Sequence, residues 1–373
     1  CHLTIKSPVN WKKVTVALPK DASGVISAGN YDLLVDSPIA LGNHETAEFT
    51  VAGVKHTIAM LGEGNYDMEK LKKDFTKIVQ KEFDLFGEHP SPEYVIFIQN
   101  VENGGGGLEH LNSQTSVIYR WGYNNPSKYK NFLALIAHEY FHLWNVKRIR
   151  PIELGPFDYN KEVYTNMLWV AEGITSYYDD LFIRRCEFYN EEEYLGVIAT
   201  AINRMENLHG NKVQTLAMSS FDAWIKLYLP DENSDNSSIS YYQKGMLVAL
   251  VLDLEIIKRS NGTKKLDDVM RYLYKTYYKE KGRGFTENEF AESLKAVTGS
   301  SFDDILQAMI YRSDAVNYNS YLNYVGLELQ NQPSNKLPMG ITTKVENGKT
   351  LVKYVELDKP GSKAGLSVND EII

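Results

Sequence analysis

Thiols are scarce in this chain. Cys1 and Cys186 are the only two in 373 residues, and neither has another thiol at metal-ligand spacing. A disulfide framework and a cysteine-rich zinc module are therefore both excluded. Long apolar runs are missing too. The longest, residues 246–252, is bracketed by Lys244 and Asp253 and falls well short of the roughly 18–20 residues of a membrane-spanning helix. It reads as buried helix. Positive charge is not in excess, with 40 Lys and Arg against 48 Asp and Glu, a formal net charge of −8 at pH 7. That balance, without a long basic run, argues against broad nucleic-acid binding. There is no internal repeat, and PDENSDNSSIS (230–240) is the longest biased tract.

What remains is ordinary globular composition, 43% hydrophobic and 24% charged. The length allows two or three domains and a core that needs no disulfide support. Residues 1–62 read as short strands (CHLTI, KKVTVAL, YDLLVD, AEFTVAG, HTIAML) separated by Pro, Gly and Asn. Leu71, Phe75, Ile78 and Val79 recur at helical spacing within 68–86, with Gly87 after the end. EYVIFIQNV (93–101) and SVIYRW (116–121) are strand candidates, and a glycine-rich segment lies between them. From about residue 130 to 310 the pattern is mostly helical. After Tyr324, short strands return in VGLEL, GITTKVE, TLVKYVEL and DEII. Both ends read as lying inside strands, so the chain is expected to be part of a longer protein.

His138-Glu139-Tyr140-Phe141-His142 is the strongest local signal. Phe132, Leu133, Leu135 and Ile136 upstream put it on a helix, where positions i and i+4 share a face and aim both imidazoles at one point. Two imidazoles suit Zn²⁺, and the adjacent Glu139 can serve as general base. A catalytic zinc needs a third protein ligand. Glu172 is the one acid in the apolar stretch from Met167 to Ile174. Burying a lone carboxylate there is costly unless a cation compensates it. The alternative readings are histidines packed on a helix face and a capping or surface glutamate.

HEYFHLWNVKRIRP together with LWVAEGITSYYDD resembles the glycyl aminopeptidase family of gluzincin metallopeptidases. The resemblance implies an α+β chain. Residues 1–62 would be the remainder of a β-rich N-terminal domain and 63–185 a thermolysin-like catalytic domain. Residues 186–324 would be the helical part of the catalytic region and 325–373 a partial PDZ domain. It also implies one zinc ion held by His138, His142 and Glu172, peptide substrates with a free N-terminus and a small first residue (Gly or Ala), and a bacterial protein of periplasm or cytoplasm. Peptide C-termini would be the partners of the PDZ-like region.

Two further segments gain meaning from the same resemblance. Gly105-Gly106-Gly107-Leu108-Glu109-His110 is similar to the family's GGLEH segment, itself analogous to the GxMEN exopeptidase motif of the aminopeptidase N group. A glycine such as Gly107 lets backbone approach a bound peptide, and Glu109 would face the substrate's α-ammonium. The residues alone equally fit a flexible hairpin with a solvated acid, and His110 departs from the Asn of the other motif. Tyr242-Gln243-Lys244-Gly245 matches a Tyr-x-Lys-Gly stretch, which implies that Tyr242 stabilises an oxyanion. Adjacent helical residues diverge by about 100°, so Tyr241 is expected to face elsewhere. Lys147, Arg148 and Arg150 belong to the signature but read as a solvated helix end.

The resulting reading is a zinc aminopeptidase with Glu139 as base and Tyr242 as oxyanion donor. A zinc endopeptidase would share the metal residues without needing Glu109. A non-catalytic PDZ-containing peptide-binding protein would not need Glu139.

Overall fold

The computed structural model describes residues 1–331 and 338–373. Residues 332–337, inside the stretch read as PDZ-like, lie outside the described residues. The fold is α+β, as the sequence predicts, and the chain divides into two compact units. One comprises Cys1–Arg150 and Tyr178–Leu195, the other Pro151–Tyr177 and Gly196–Ile373. Among the described residues no helix is long and apolar enough to cross a membrane.

The first unit is built on a five-stranded mixed sheet. Its strands run in the order Glu45–Val51, Val54–Leu61, Glu93–Val101, Ser113–Tyr119, Gly106–Glu109. The middle three are parallel and the two flanking ones antiparallel to their neighbours. Parallel neighbours need a crossover, and the helix Met68–Phe86 supplies it between Val54–Leu61 and Glu93–Val101. Asp67 caps that helix by accepting from Glu69 N and Lys70 N, and Gly87 ends it at φ 76°. Its buried face includes the expected Leu71, Phe75, Ile78 and Val79.

Two expectations fail. YDLLVD was read as a strand, but Tyr31–Val35 is a one-turn helix because Asn30 Oδ1 accepts from Leu33 N. A capping side chain at that spacing outweighs the β-like composition. VGLEL forms no strand either. Its first residue closes a 3₁₀ turn at Asn323–Val325 that Gly326 stops at φ 75°.

Behind the sheet, the buried Tyr140 hydroxyl lies 2.8 Å from His56 Nε2 and 2.9 Å from His89 Nε2. His56 Nδ1 faces the Val54 carbonyl at 3.0 Å. A carbonyl can only accept, so Nδ1 donates and Nε2 accepts from Tyr140. Burial pushes His56 down to about 3 and His89 down to about 4.

The second unit is mainly helical. Its longest helix, Tyr241–Arg259, buries almost all of Lys244–Ile256. It crosses the turn Trp169–Gly173 at Gly245, where a Cβ would come 2.8 Å from Gly173 Cα and 3.1 Å from the Trp169 carbonyl. The crossing needs hydrogen on both residues. Toward the end, Ile341–Glu346, Lys349–Val355 and Glu371–Ile372 form a three-stranded antiparallel sheet. The buried Asn236 amide bonds it through the Val355 carbonyl and Leu357 N–H.

Two predictions follow from these packings. An unfolded chain protonates its histidines near pH 6.5, whereas His56 and His89 stay neutral in the fold down to about 3 and about 4. In that window the unfolded state holds more protons, so stability rises with pH and is lost as pH falls below about 6.5. Each histidine contributes up to about 1.4 kcal/mol per pH unit there. Urea midpoints between pH 7.5 and 4.5 should fall, and His56→Gln with His89→Gln should flatten the slope; an unchanged slope would remove the histidines as its source. For the crossing, Gly245→Ala should cost about 1–3 kcal/mol through overpacking. Gly196→Ala, whose Cβ meets nothing within 4 Å in the helix Glu191–Asn207, should gain about 0.5–1 kcal/mol. Thermal melts that rank the two variants the other way would refute the close crossing.

Candidate metal centre and peptide edge

In the first unit the helix Pro126–Phe141 carries the HExxH motif. Asn125 caps it by accepting from Lys128 N, and Pro126 opens it. His138 sits in its last turn and His142 at its cap, their rings 4.7 Å apart and nearly perpendicular at 84°. Both Nδ1 atoms face acceptors: Asp179 Oδ2 at 2.9 Å for His138, and the Asn145 carbonyl at 2.6 Å for His142. Each Nδ1 therefore carries the proton, and each Nε2 keeps its lone pair. That is the tautomer a metal requires, fixed by the partner of the other ring nitrogen. On donor chemistry the pair fits zinc.

Glu139 is buried beside them, 4% exposed. One ligand atom each from Glu109, Glu139 and His142 lies within 4.8 Å of the others. Glu109 reaches that position on the strand Gly106–Glu109, which pairs with Ser113–Tyr119 in the register Gly107↔Ser116 and Glu109↔Gln114. The glycine-rich segment is thus an edge strand. A Cβ on Gly107 would overlap the Glu139 carboxylate, so any larger residue would displace that side chain.

The turn after the strand explains part of the signature that reads as solvated. Arg148 is 4% exposed. Its guanidinium donates to the Leu111 carbonyl at 3.0 Å, the Leu143 carbonyl at 2.7 Å and Asn112 Oδ1 at 3.3 Å. Lys147 bonds Asp36 at 2.8 Å, and Asp36 accepts from Leu111 N at 2.6 Å. A planar guanidinium can serve several carbonyls at once. These cations tie the edge strand to the end of the HExxH helix.

Sequence reasoning missed the carboxyls behind His138. Asp179 belongs to the SYYDD stretch that follows Glu172, and Glu82 stands three and four residues beyond the apolar Val79 and Ile78. Burial raises both, with the His138 bond opposing the rise at Asp179. Asp180 is pushed up to about 8 by burial and then by Asp179. The acid on the apolar helical face was the available signal for Glu82.

In the second unit Glu172 lies in the π-helical turn Trp169–Gly173, just before the helix Ile174–Arg185. Such wide turns recur at functional sites. The Gly173–Gly245 crossing brings this turn against the start of Tyr241–Arg259, and the Tyr242 phenol feels the Glu172 charge. Burial first, and then that charge, push Tyr242 far up, so it stays protonated. Tyr241 does not turn away as helical spacing suggests. The two rings stack with centroids 4.8 Å apart, and both hydroxyls meet Tyr228, which the sequence did not single out. Helical divergence applies to the Cα–Cβ bonds, and long side chains in an opening turn can converge again. The structure thus gathers His138, His142, Glu139, Glu109 and Gly107 in one unit, and Glu172 and Tyr242 in the other.

Residues 131–248 match the family M61 glycyl aminopeptidase. The whole chain superposes on the crystal structure of an aminopeptidase N family protein from Idiomarina loihiensis. The TM-score is 0.91 and the identity 31%, with 68% of that protein covered. An M1 zinc metallopeptidase from Deinococcus radiodurans (TM-score 0.55, 14% identity, 83% of this chain and 63% of that one) is similar in fold. So is yeast LTA4 hydrolase (TM-score 0.56, 14% identity, 82% of this chain and 46% of that one). No curated protein sequence matches. The long superposition and the family match on the HExxH segment agree, and the chain belongs to the gluzincin aminopeptidases, the zinc metallopeptidase family that includes the M61 glycyl aminopeptidases.

Proposed function

We propose that this metallo-aminopeptidase removes small N-terminal residues, Gly or Ala, from peptides, with His138, His142 and Glu172 as the zinc ligands. The observation that carries the exopeptidase reading is the closeness of Glu109 to Glu139 and His142. A carboxylate at that distance from the base leaves room for a single residue and presents a partner for its ammonium. The preference for a small residue rests on the M61 match.

Zinc, when bound, supplies a Lewis acid and a nucleophilic water at neutral pH. The residues do the rest. The edge strand Gly106–Glu109 pairs with Ser113–Tyr119 on one side, which leaves its other edge to align an extended peptide. Gly107 lets that strand run over Glu139. Glu109 binds the α-ammonium and sets the register of the scissile bond. Glu139 takes the proton of the attacking water and delivers it to the leaving amine. Tyr242, protonated, donates to the developing oxyanion. Peptide C-termini are proposed as ligands of the PDZ-like residues 325–373, by strand addition.

Two experiments test these assignments. Glu172→Gln keeps the size but removes the charge opposing the cation, and should lower zinc content strongly. Glu139→Gln should abolish turnover with zinc retained. Equal zinc loss in both variants, read by elemental analysis, would overturn the division of roles. Glu109→Ala should depress hydrolysis of free-amine peptides by about 10–10³-fold, the range of a lost charge-assisted contact, with zinc unchanged. N-acetylated peptides should be poor substrates for the parent enzyme. Ready cleavage of acetylated peptides would instead establish the endopeptidase.

A further inference from the structure

Three phenols meet at the start of the helix Tyr241–Arg259. Tyr241 donates to the Tyr228 hydroxyl at 3.1 Å, and the Tyr228 and Tyr242 hydroxyls are 2.9 Å apart. Tyr228 comes from the segment after the helix Leu216–Phe221, held by its N–H to the Ala223 carbonyl and by ring contact with Trp224 at 5.4 Å. The residue is 51% exposed, among exposed Trp224, Ile225 and Leu229. The Tyr228 hydroxyl accepts from the buried Tyr241 on one side and meets Tyr242 on the other, so it links the two phenols of the helix start.

Each phenol has one proton to give and can accept another. Tyr241 gives its proton to Tyr228, and in the Tyr228–Tyr242 pair either hydroxyl can be the donor; the relay is the arrangement in which Tyr228 donates to the Tyr242 oxygen. The Tyr242 proton is then directed away from Tyr228. Bonds in such a chain polarise one another, by about 10–30% per bond. Each donor upstream makes the last hydroxyl a better one, and the Tyr228 bond restricts its rotation.

We propose that Tyr228, backed by Tyr241, is a positioning residue for catalysis that orients and polarises the Tyr242 hydroxyl toward the oxyanion. This rests on the assignment of Tyr242 above. Tyr228 touches neither substrate nor metal in this role. It acts on turnover through Tyr242 and leaves ground-state binding alone.

A double-mutant cycle with an alanyl anilide as substrate tests it, with zinc content followed in every variant. Tyr242→Phe should lower kcat by about 10²–10³-fold, the cost of one oxyanion donor. Tyr228→Phe should lower kcat by roughly tenfold, a 1.4 kcal/mol effect, with KM within about twofold of the parent. Tyr241→Phe should cost less than Tyr228→Phe, being one bond further away. In the Tyr242→Phe background, Tyr228→Phe should have no further effect, because coupled residues are not additive. A silent Tyr228→Phe beside a damaging Tyr242→Phe would overturn the relay alone. An equal cost of Tyr228→Phe in both backgrounds would also overturn it, since Tyr228 would then act independently. A silent Tyr242→Phe would instead sink the assignment of Tyr242 on which the relay stands.

Discussion

A histidine that serves a metal must keep one particular nitrogen free of protons, and the two Nδ1 bonds of the HExxH helix impose this. Asp179 holds His138 and the Asn145 carbonyl holds His142. With both tautomers set, the perpendicular rings offer two lone pairs and no competing proton. Much of the first unit serves to keep that helix still. Tyr140, between the two histidines in sequence, is fastened from behind by His56 and His89. The Tyr94 hydroxyl adds a weaker bond to the Glu139 carbonyl at 3.4 Å. The polar groups within HExxH thus have partners on both sides of the helix.

The second constraint is close approach, met by missing side chains. Gly107 lets an edge strand pass over the Glu139 carboxylate, and Gly173 with Gly245 lets two backbone segments touch. Neither arrangement survives an added Cβ without movement, because packed interiors have no slack for one. The first crossing delivers Glu109 toward Glu139. The second brings the turn of Glu172 to the turn of Tyr242. Glycine fixes the meeting points, and Lys147 and Arg148 lock the first through Asp36 and the backbone of Leu111.

Regular periodicity made much of this legible in the sequence. Met68–Phe86 and Glu93–Val101 fall where the apolar spacing and the bounding Gly87 put them. HExxH is legible because its chemistry is local, two imidazoles one turn apart. Illegible were the features decided by partners distant in the chain. The Asn30 cap that turned an apparent strand into a helix is local, and was hidden instead by the β-like composition that follows it. Arg148 looked solvated because the carbonyls that bury it belong to residues 111 and 143. Tyr228 is one of 25 tyrosines, and only its two hydroxyl contacts distinguish it. Tyr241 was misjudged for a related reason, since spacing describes where a side chain departs and not where its tip arrives.

The nearness of Glu109 and Glu139 carries a consequence for how binding and chemistry are joined. Two carboxylates with oxygens within 4.8 Å repel when both are ionised, and the repulsion grows as water leaves the site. On the role proposed for Glu109, a substrate ammonium seated there would cancel that repulsion when the peptide excludes water. The charge that a general base at Glu139 would need is then opposed by less repulsion. An acylated N-terminus would expel the same water but bring no positive charge. It would leave the proposed base beside an uncompensated carboxylate. Under the proposed roles the free amine would act twice, on register and on the electrostatics of the base. Discrimination of this kind exceeds what one ion pair at a surface supplies, because the second effect falls on turnover, where the proton moves.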